Sequence, residues 1–146
     1  MSSTHIYREQ HQELLELMER LAGLLDQDGL VTDASAAFGL LGTLASKLDD
    51  HVTAEDAAFY PALIHHADPK VATVARKFHE EVGWLKTLAS IYFNRWSSPG
   101  SIQQDPDAFG SETKVIARFL TRRIQVEHEV LFDLADSLEP SPASEG

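Results

Sequence analysis

Apolar residues along this chain recur at steps of three and four, the spacing that lines one face of an α-helix. The pattern predicts an all-α protein made of four amphipathic helices and little else. Asp28-Gly29 ends the first helix, and the Asp-Pro pairs at 68–69 and 105–106 are start signals for the third and fourth. We therefore predict helices from about Ser3 to Asp26, from near Thr32 past Glu55, from Asp68 to about Trp96, and from Asp105 onward.

The connections within the first and second helix pairs are short, which predicts two antiparallel hairpins. Two such hairpins pack as an up-down-up-down antiparallel four-helix bundle. The proline- and serine-rich end that begins at Glu139 predicts a disordered tail. The expected organisation is one bundle domain over residues 1–138 and a disordered tail over 139–146, with Trp84 and Trp96 in the core.

Two copies of one pattern place a carboxylate in the middle of an apolar helical stripe. A buried carboxylate without a partner costs several kcal/mol or takes up a proton. A sequence that places one in each of two core stripes is therefore expected to supply a cation between them. The copies are Leu44, Leu48, His51, Glu55 and Phe59 on helix 2, and Ile116, Leu120, Arg123, Glu127 and Leu131 on helix 4.

Composition narrows the class of protein. The chain has 146 residues, 43% of them hydrophobic and none gathered into a membrane-length run. It opens with no charged-then-apolar leader and has no cysteine, so we expect a cytoplasmic protein without disulfides or thiolate ligands. A net charge of -11 argues against nucleic acid and anionic membranes as partners, because both require a basic face.

Residues that can bind a metal lie on or beside the apolar stripes of all four predicted helices. Imidazole and carboxylate ligands without thiolate suit iron, manganese or zinc. Inward-facing Glu and His side chains from several helices are also how helical bundles build two-metal carboxylate sites. The candidate metal ligands are His11, His51, Glu55, His79 and Glu127.

These residues and their order give the chain a resemblance to a known family. One His on helix 1, His-x-x-x-Glu on helix 2 and one His on helix 3 resemble the bacterial hemerythrin-like domains, also called HHE cation-binding domains. The likeness covers roughly residues 4–138 and is sharpest over 51–61, HVTAEDAAFYP. It implies a four-helix bundle with a non-haem di-iron centre. His11 and His51 would bind one iron, a His from each of helices 3 and 4 the other, and Glu55 and Glu127 would bridge.

One position departs from the family pattern: Arg123 stands where helix 4 should offer its His. A guanidinium has no lone pair to donate and stays charged, so it cannot be a metal ligand. Arg123 is instead expected to pair with Glu127 or Glu55. Respiratory hemerythrins place the helix 4 carboxylate five residues after the His. The position five residues after Arg123 is His128, which is therefore a reserve ligand. Those proteins also have a second helix 3 His, which here is Gly83, so oxygen transport is not expected.

Several functions remain open from the sequence. The first is iron binding at a di-iron or single-iron site that senses, scavenges or handles O2, NO, peroxide or iron, with no sign of catalytic turnover. The second is a metal-free helical interaction module, in which an Arg-Glu-His network fills the core and a protein partner or a second copy binds outside. The third is a zinc or manganese site with a structural role.

Overall fold

The protein is described by a computed structural model over residues 4–25 and 28–138. All of its regular structure there is helical. The predicted disordered tail over 139–146, and the predicted helix limits Ser3 and Asp26, lie outside the described residues. None of the described helices carries an apolar run long enough to cross a membrane.

Four rods make up the bundle, and two of them contain a π-helical segment, in which hydrogen bonds span five residues. The first rod is α1 (His5–Leu25), followed by a 3-10 turn (Asp28–Leu30). The second is α2 (Ser35–Ala54), a π segment (Glu55–Phe59) and α3 (Tyr60–Ile64). The third is α4 (Pro69–Arg95), which is followed by the short α5 (Pro99–Gln104). The fourth is α6 (Pro106–Val126), a π segment (Glu127–Phe132) and α7 (Asp133–Ser137).

Contacts between the rods show the predicted antiparallel arrangement. Lys47 of α2 pairs with Glu13 of α1, while later in α2 His51 contacts the earlier Gln10. In the same way, α4 and α6 run in opposite directions, since the late Arg95 pairs with the early Glu112. The prediction of an all-α bundle is therefore confirmed.

Both Asp-Pro start signals act as predicted. Asp68 accepts a hydrogen bond from the backbone N–H of Lys70 at 2.9 Å, and Asp105 accepts one from that of Ala108 at 3.1 Å. In each case proline holds the first helical position, where no N–H is needed. These caps fix where α4 and α6 begin.

The core consists of two apolar clusters with a polar layer between them. One lies around Leu14, Leu21, Leu44 and Phe109, and the other around Tyr60, Phe78, Leu131 and Phe132. The buried polar layer falls between them along α1, α2 and the fourth rod. The side chains of this layer are themselves buried.

The two tryptophans predicted to lie in the core differ in their burial. Trp96 is buried at 2% exposure, as predicted, but Trp84 is 70% exposed, so that prediction was wrong. The buried positions of α4 include Val82 and Ala89, which follow the helical repeat. Trp84 is only two residues from Val82, about 200° around the helix, and therefore faces outward.

Candidate metal centre

Four buried side chains from three rods converge in the polar layer, and we call them the His/Glu cluster. Each offers one ligand atom, and these atoms all lie within 4.8 Å of one another. All four residues are at most 3% exposed. The His/Glu cluster consists of His11 from α1, His51 from α2, and Glu55 and Glu127, the first residues of the two π segments.

The imidazoles turn their Nε2 atoms toward one centre. The two Nε2 atoms of His11 and His51 are 2.8 Å apart. His51 Nε2 also lies 2.8 Å from Glu55 Oε1, and His11 Nε2 lies 3.1 Å from Glu127 Oε2. Lone pairs from two imidazoles and two carboxylates thus face a shared space.

Outer partners fix the opposite side of each imidazole. His51 Nδ1 lies 2.7 Å from the amide oxygen of Gln10, which accepts its N–H. His11 Nδ1 lies 2.8 Å from Nε2 of His128. When each Nδ1–H is donated outward, both Nε2 lone pairs remain free for a cation, the usual arrangement of histidines that bind metals.

Both glutamates begin a π-helical segment. Such segments locally widen a helix and are common at functional sites. Sequence periodicity does not reveal them, because apolar positions at steps of three and four fit an ordinary α-helix equally well. The segments are a shared feature of the two repeated patterns, and each begins at a buried glutamate.

The two carboxylates differ in their electrostatics. Burial raises the pKa of Glu55, and the hydrogen bond with His51 offsets this only in part. Burial acts in the same direction on Glu127, but the contacts with His11 and Arg123 outweigh it and lower the pKa of that carboxyl. Burial also lowers the pKa of His11, which favours its neutral, metal-binding form.

Arg123 pairs with Glu127, one of its two predicted partners. Its Nε donates to Glu127 Oε1 at 3.0 Å, and its Nη1 donates to Glu81 at 3.0 Å. Its Nη2 donates to the Tyr60 hydroxyl at 2.8 Å and to the backbone oxygen of Phe78 at 2.7 Å. The guanidinium also lies 4.7 Å from the centre of the Phe78 ring. A fixed cation therefore occupies the side of Glu127 away from His11.

Two predicted candidates lie outside the His/Glu cluster. The side chain of His79 is 46% exposed and pairs with Asp56 at 3.2 Å, while its ring packs against that of Tyr60. The structure therefore does not bring His79 to the converging atoms. His128, the reserve ligand, contacts His11 from behind instead of joining the cluster.

Sequence reasoning missed two residues that shape the site. Gln10 orients His51, but a glutamine on a helix flank carries no signal of such a role. Tyr60 donates to Glu127 Oε1 at 3.1 Å, and burial, reinforced by the charge of Glu127, raises the pKa of its hydroxyl, which stays protonated. Its place directly after Phe59 in the repeated pattern was visible, but its polar contact was not.

The donor set fits one divalent cation. One oxygen of Glu55, Oε2, is buried and has no hydrogen-bond partner within the described part of the chain. Such an orphaned carboxylate oxygen is costly unless a cation or proton meets it. Imidazole and carboxylate ligands suit iron, manganese or zinc. The residues therefore fit a metal at the His/Glu cluster, and they do not provide a second imidazole pair beside Arg123.

Comparison with known proteins agrees with this geometry. A family model described as the hemerythrin HHE cation-binding domain matches residues 2–135. No curated protein and no solved structure matches the chain.

Proposed function

Because this chain belongs to the hemerythrin HHE cation-binding family, we propose that it is an iron-binding protein whose His/Glu cluster holds one ion. The observation that carries the proposal is the convergence of two outward-anchored imidazoles on two buried carboxylates, one with an orphaned oxygen. The family match and the buried cluster are both compatible with cation binding. The choice of iron over zinc or manganese is part of the proposal.

A single ion is proposed because Arg123 occupies the second half of the site. Its guanidinium binds Glu127 Oε1, so only Oε2 of that carboxylate remains on the His11 side. A second dication near Arg123 would meet a like charge and would lack an imidazole, since His79 pairs with Asp56. The expected stoichiometry is about one metal ion per chain.

The proposed role is the sensing, scavenging or handling of O2, NO, peroxide or iron. Bound iron would supply open coordination positions at which such small molecules bind. The side chains that would hold it, among them His11, His51 and Glu55, are themselves buried. Tyr60 holds a proton on its hydroxyl beside Glu127. No catalytic turnover is proposed.

A second candidate function is a metal-free interaction module. The observation that favours it is the four-bond network of Arg123, which neutralises Glu127 without any metal. Exposed apolar side chains on α4 and α6, among them Trp84 and Phe119, offer a surface for a protein partner or a second copy. In this alternative Glu55 carries a proton instead of meeting a cation.

The deciding experiment measures metal content and the absorption spectrum of protein purified without a histidine tag. Parent protein should retain about one iron per chain, and Glu55→Gln should lose it because the amide is a poor ligand. Asp50→Asn, an exposed acid on the same helix, is the control and should bind metal as the parent does. Zinc or manganese in place of iron would support a structural site. Absence of any metal after reconstitution would leave the interaction module.

A further inference from the structure

A cavity of about 330 Å³ lies inside the bundle beside the His/Glu cluster. Its inner end is formed by His11, His51, Glu55, Arg123 and Glu127. Its outer end includes Asp49, Lys86 and Ser90, which are exposed, so it opens between α2 and α4. The remaining walls are apolar and come from all four rods: Leu14, Ala45, Leu48, Val52, Val82, Leu85, Ala89, Phe93, Leu120 and Ile124.

The cavity is far larger than a diatomic ligand requires. An apolar protein cavity of about 150 Å³ already holds a benzene molecule. The volume here is about 330 Å³, which leaves room for a body roughly twice that size. It also reaches the lower limit of ordinary small-molecule sites, about 300 Å³. A hydrocarbon body of roughly ten heavy atoms would therefore fill it.

The charges around the cavity select against an anionic ligand. The two cations on its walls are already paired, Arg123 with Glu127 and Lys86 with Asp56 at 2.6 Å. By contrast, Glu55 at the inner end pairs with the His51 imidazole through Oε1 and leaves Oε2 without a partner, and Asp49 at the rim has no ion pair in the described part of the chain. In the metal-free protein, a carboxylate ligand would thus bring a negative charge toward acids without gaining a free cation.

We propose that this cavity binds an uncharged organic molecule with a hydrocarbon body of roughly ten heavy atoms. The molecule enters between α2 and α4, packs against the apolar walls and brings its inner end to His51 and Glu55. This inference rests on the proposed function for what the inner end meets there, a bound metal ion. Binding of the hydrocarbon body itself depends only on the cavity.

A matched pair of probes tests the proposal. 1-Octanol and octanoate share one chain length and differ in charge, and each is titrated into metal-loaded and chelator-treated protein by calorimetry. Octanol should bind both forms at one site per chain, and octanoate should bind the chelator-treated form at least tenfold more weakly than octanol does. Equal affinity of the chelator-treated form for the two probes, or no binding of octanol to either form, would overturn the proposal.

Cavity-filling variants locate the binding site. Ala45→Leu and Ala89→Leu each add a side chain to the cavity wall from a different helix, and each should weaken octanol binding at least tenfold. Ser46→Leu, at the exposed neighbouring position on α2, is the control and should leave binding unchanged. Octanol binding that survives both alanine substitutions would place the ligand elsewhere and overturn the inference. Either variant suffices if the other fails to fold.

Metal content of each variant separates this inference from the proposed function. Metal retained without octanol binding would overturn the cavity ligand and leave the metal site standing. Octanol binding to a chain that takes up no metal would support the cavity ligand and refute the proposed iron site.

Discussion

The repeated segments 51–60 and 123–132 share one pattern, but the pKa values of their buried glutamates shift in opposite directions. In each, a glutamate opens a π-helical segment and points into the polar layer. Four residues before it stands His51 in one copy and Arg123 in the other. The His51 copy leaves Glu55 with an orphaned oxygen, whereas the Arg123 copy gives both oxygens of Glu127 a partner.

This difference shows what a fixed cation does to a buried carboxylate. Beside Arg123, Glu127 has a lowered pKa and is ionised without outside help. Beside the imidazole of His51, Glu55 has a pKa raised by burial and needs a proton or a metal ion. The half of the site around Arg123 and Glu127, the Arg123 half, thus has its charges balanced by residues of the chain. The half around His51 and Glu55, the open half, can still take up a cation or a proton.

The residue five positions after each glutamate strengthens the contrast. Tyr60 ends the first segment and crosses to the Arg123 half, where its hydroxyl contacts both Arg123 and Glu127. Phe132 ends the second segment and stacks on His11, with ring centres 5.1 Å apart. Each copy therefore supports the other half of the site, and the polar support goes to the half that holds Arg123.

The largest expected effect comes from removing the fixed cation. Arg123→Met leaves Glu127 ionised and buried without its counter-charge, and breaking such a pair costs about 3–5 kcal/mol. Chemical unfolding in the presence of chelator should show this loss in the free energy of unfolding. Arg122→Met, at the exposed neighbouring position, should change stability by less than about 0.5 kcal/mol.

A second substitution at position 123 tests whether Arg123 alone makes the two copies different. Arg123→His restores an imidazole to the second copy, but His79 remains paired with Asp56 and Tyr60 occupies the space between. We therefore expect the variant to lose stability and still bind about one ferrous ion per chain. Uptake of a second ion would show that Arg123 alone separates the two halves.

A smaller effect is expected from removing the hydrogen bond that orients His51 in the open half. Gln10→Ala removes the oxygen that holds His51 Nδ1, and the loss of such an outer partner typically lowers metal affinity about 10–100-fold. Competition with a chromophoric chelator measures the change. Gln12→Ala serves as the control, because Gln12 is exposed and hydrogen-bonds to the exposed Glu16. Unchanged affinity in Gln10→Ala would mean that packing alone orients His51.

Much of the fold and most of the cluster followed from the sequence. The 3.6-residue periodicity defined the four rods, and a Glu within each of two apolar stripes identified both carboxylates. His11 and His51 were found for the same reason, since a polar side chain on a buried face must meet a partner. That reasoning requires only that a residue face the core, which helical spacing determines.

The structure departs from the predictions at residues for which helical spacing alone does not decide whether the side chain faces the core. His79 lies at the shoulder of the α4 stripe, and there its side chain pairs with Asp56. Trp84 was assigned by its hydrophobicity, although its position on α4 faces solvent. The cavity was also invisible, because it depends on how far α4 stands from α2 and not on either helix alone.

A pH-dependent effect tests the raised pKa of Glu55. Below about pH 4.5 the carboxyl is protonated in both the folded and unfolded states and costs nothing. As the pH rises, the unfolded state loses its proton first, so the metal-free protein loses stability until the folded pKa is passed. Glu55→Gln removes this loss and should stabilise metal-free protein at pH 7.5 by about 1–2 kcal/mol.

Thermal unfolding in chelator at about pH 4 and pH 7.5 makes the measurement. The variant and parent should differ little at the lower pH and diverge at the higher one. Asp50→Asn should show no such divergence, because Asp50 is exposed. An equal gain in stability at both pH values would mean that ionisation of Glu55 is not the cause of the lost stability.

The smallest effect concerns the hydroxyl that crosses between the copies. Tyr60→Phe removes one donor to Glu127 and one acceptor from Arg123, but both residues keep other partners. Because no buried group is orphaned, the cost should be near that of one hydrogen bond, about 1 kcal/mol. Tyr7→Phe is the control, since the Tyr7 ring packs against Phe59 and should be insensitive to loss of its hydroxyl. Metal content should stay that of the parent in both variants, because neither hydroxyl belongs to the His/Glu cluster. Loss of metal in Tyr60→Phe alone would show that the Arg123 half supports the open half directly, and that the two copies act as one site.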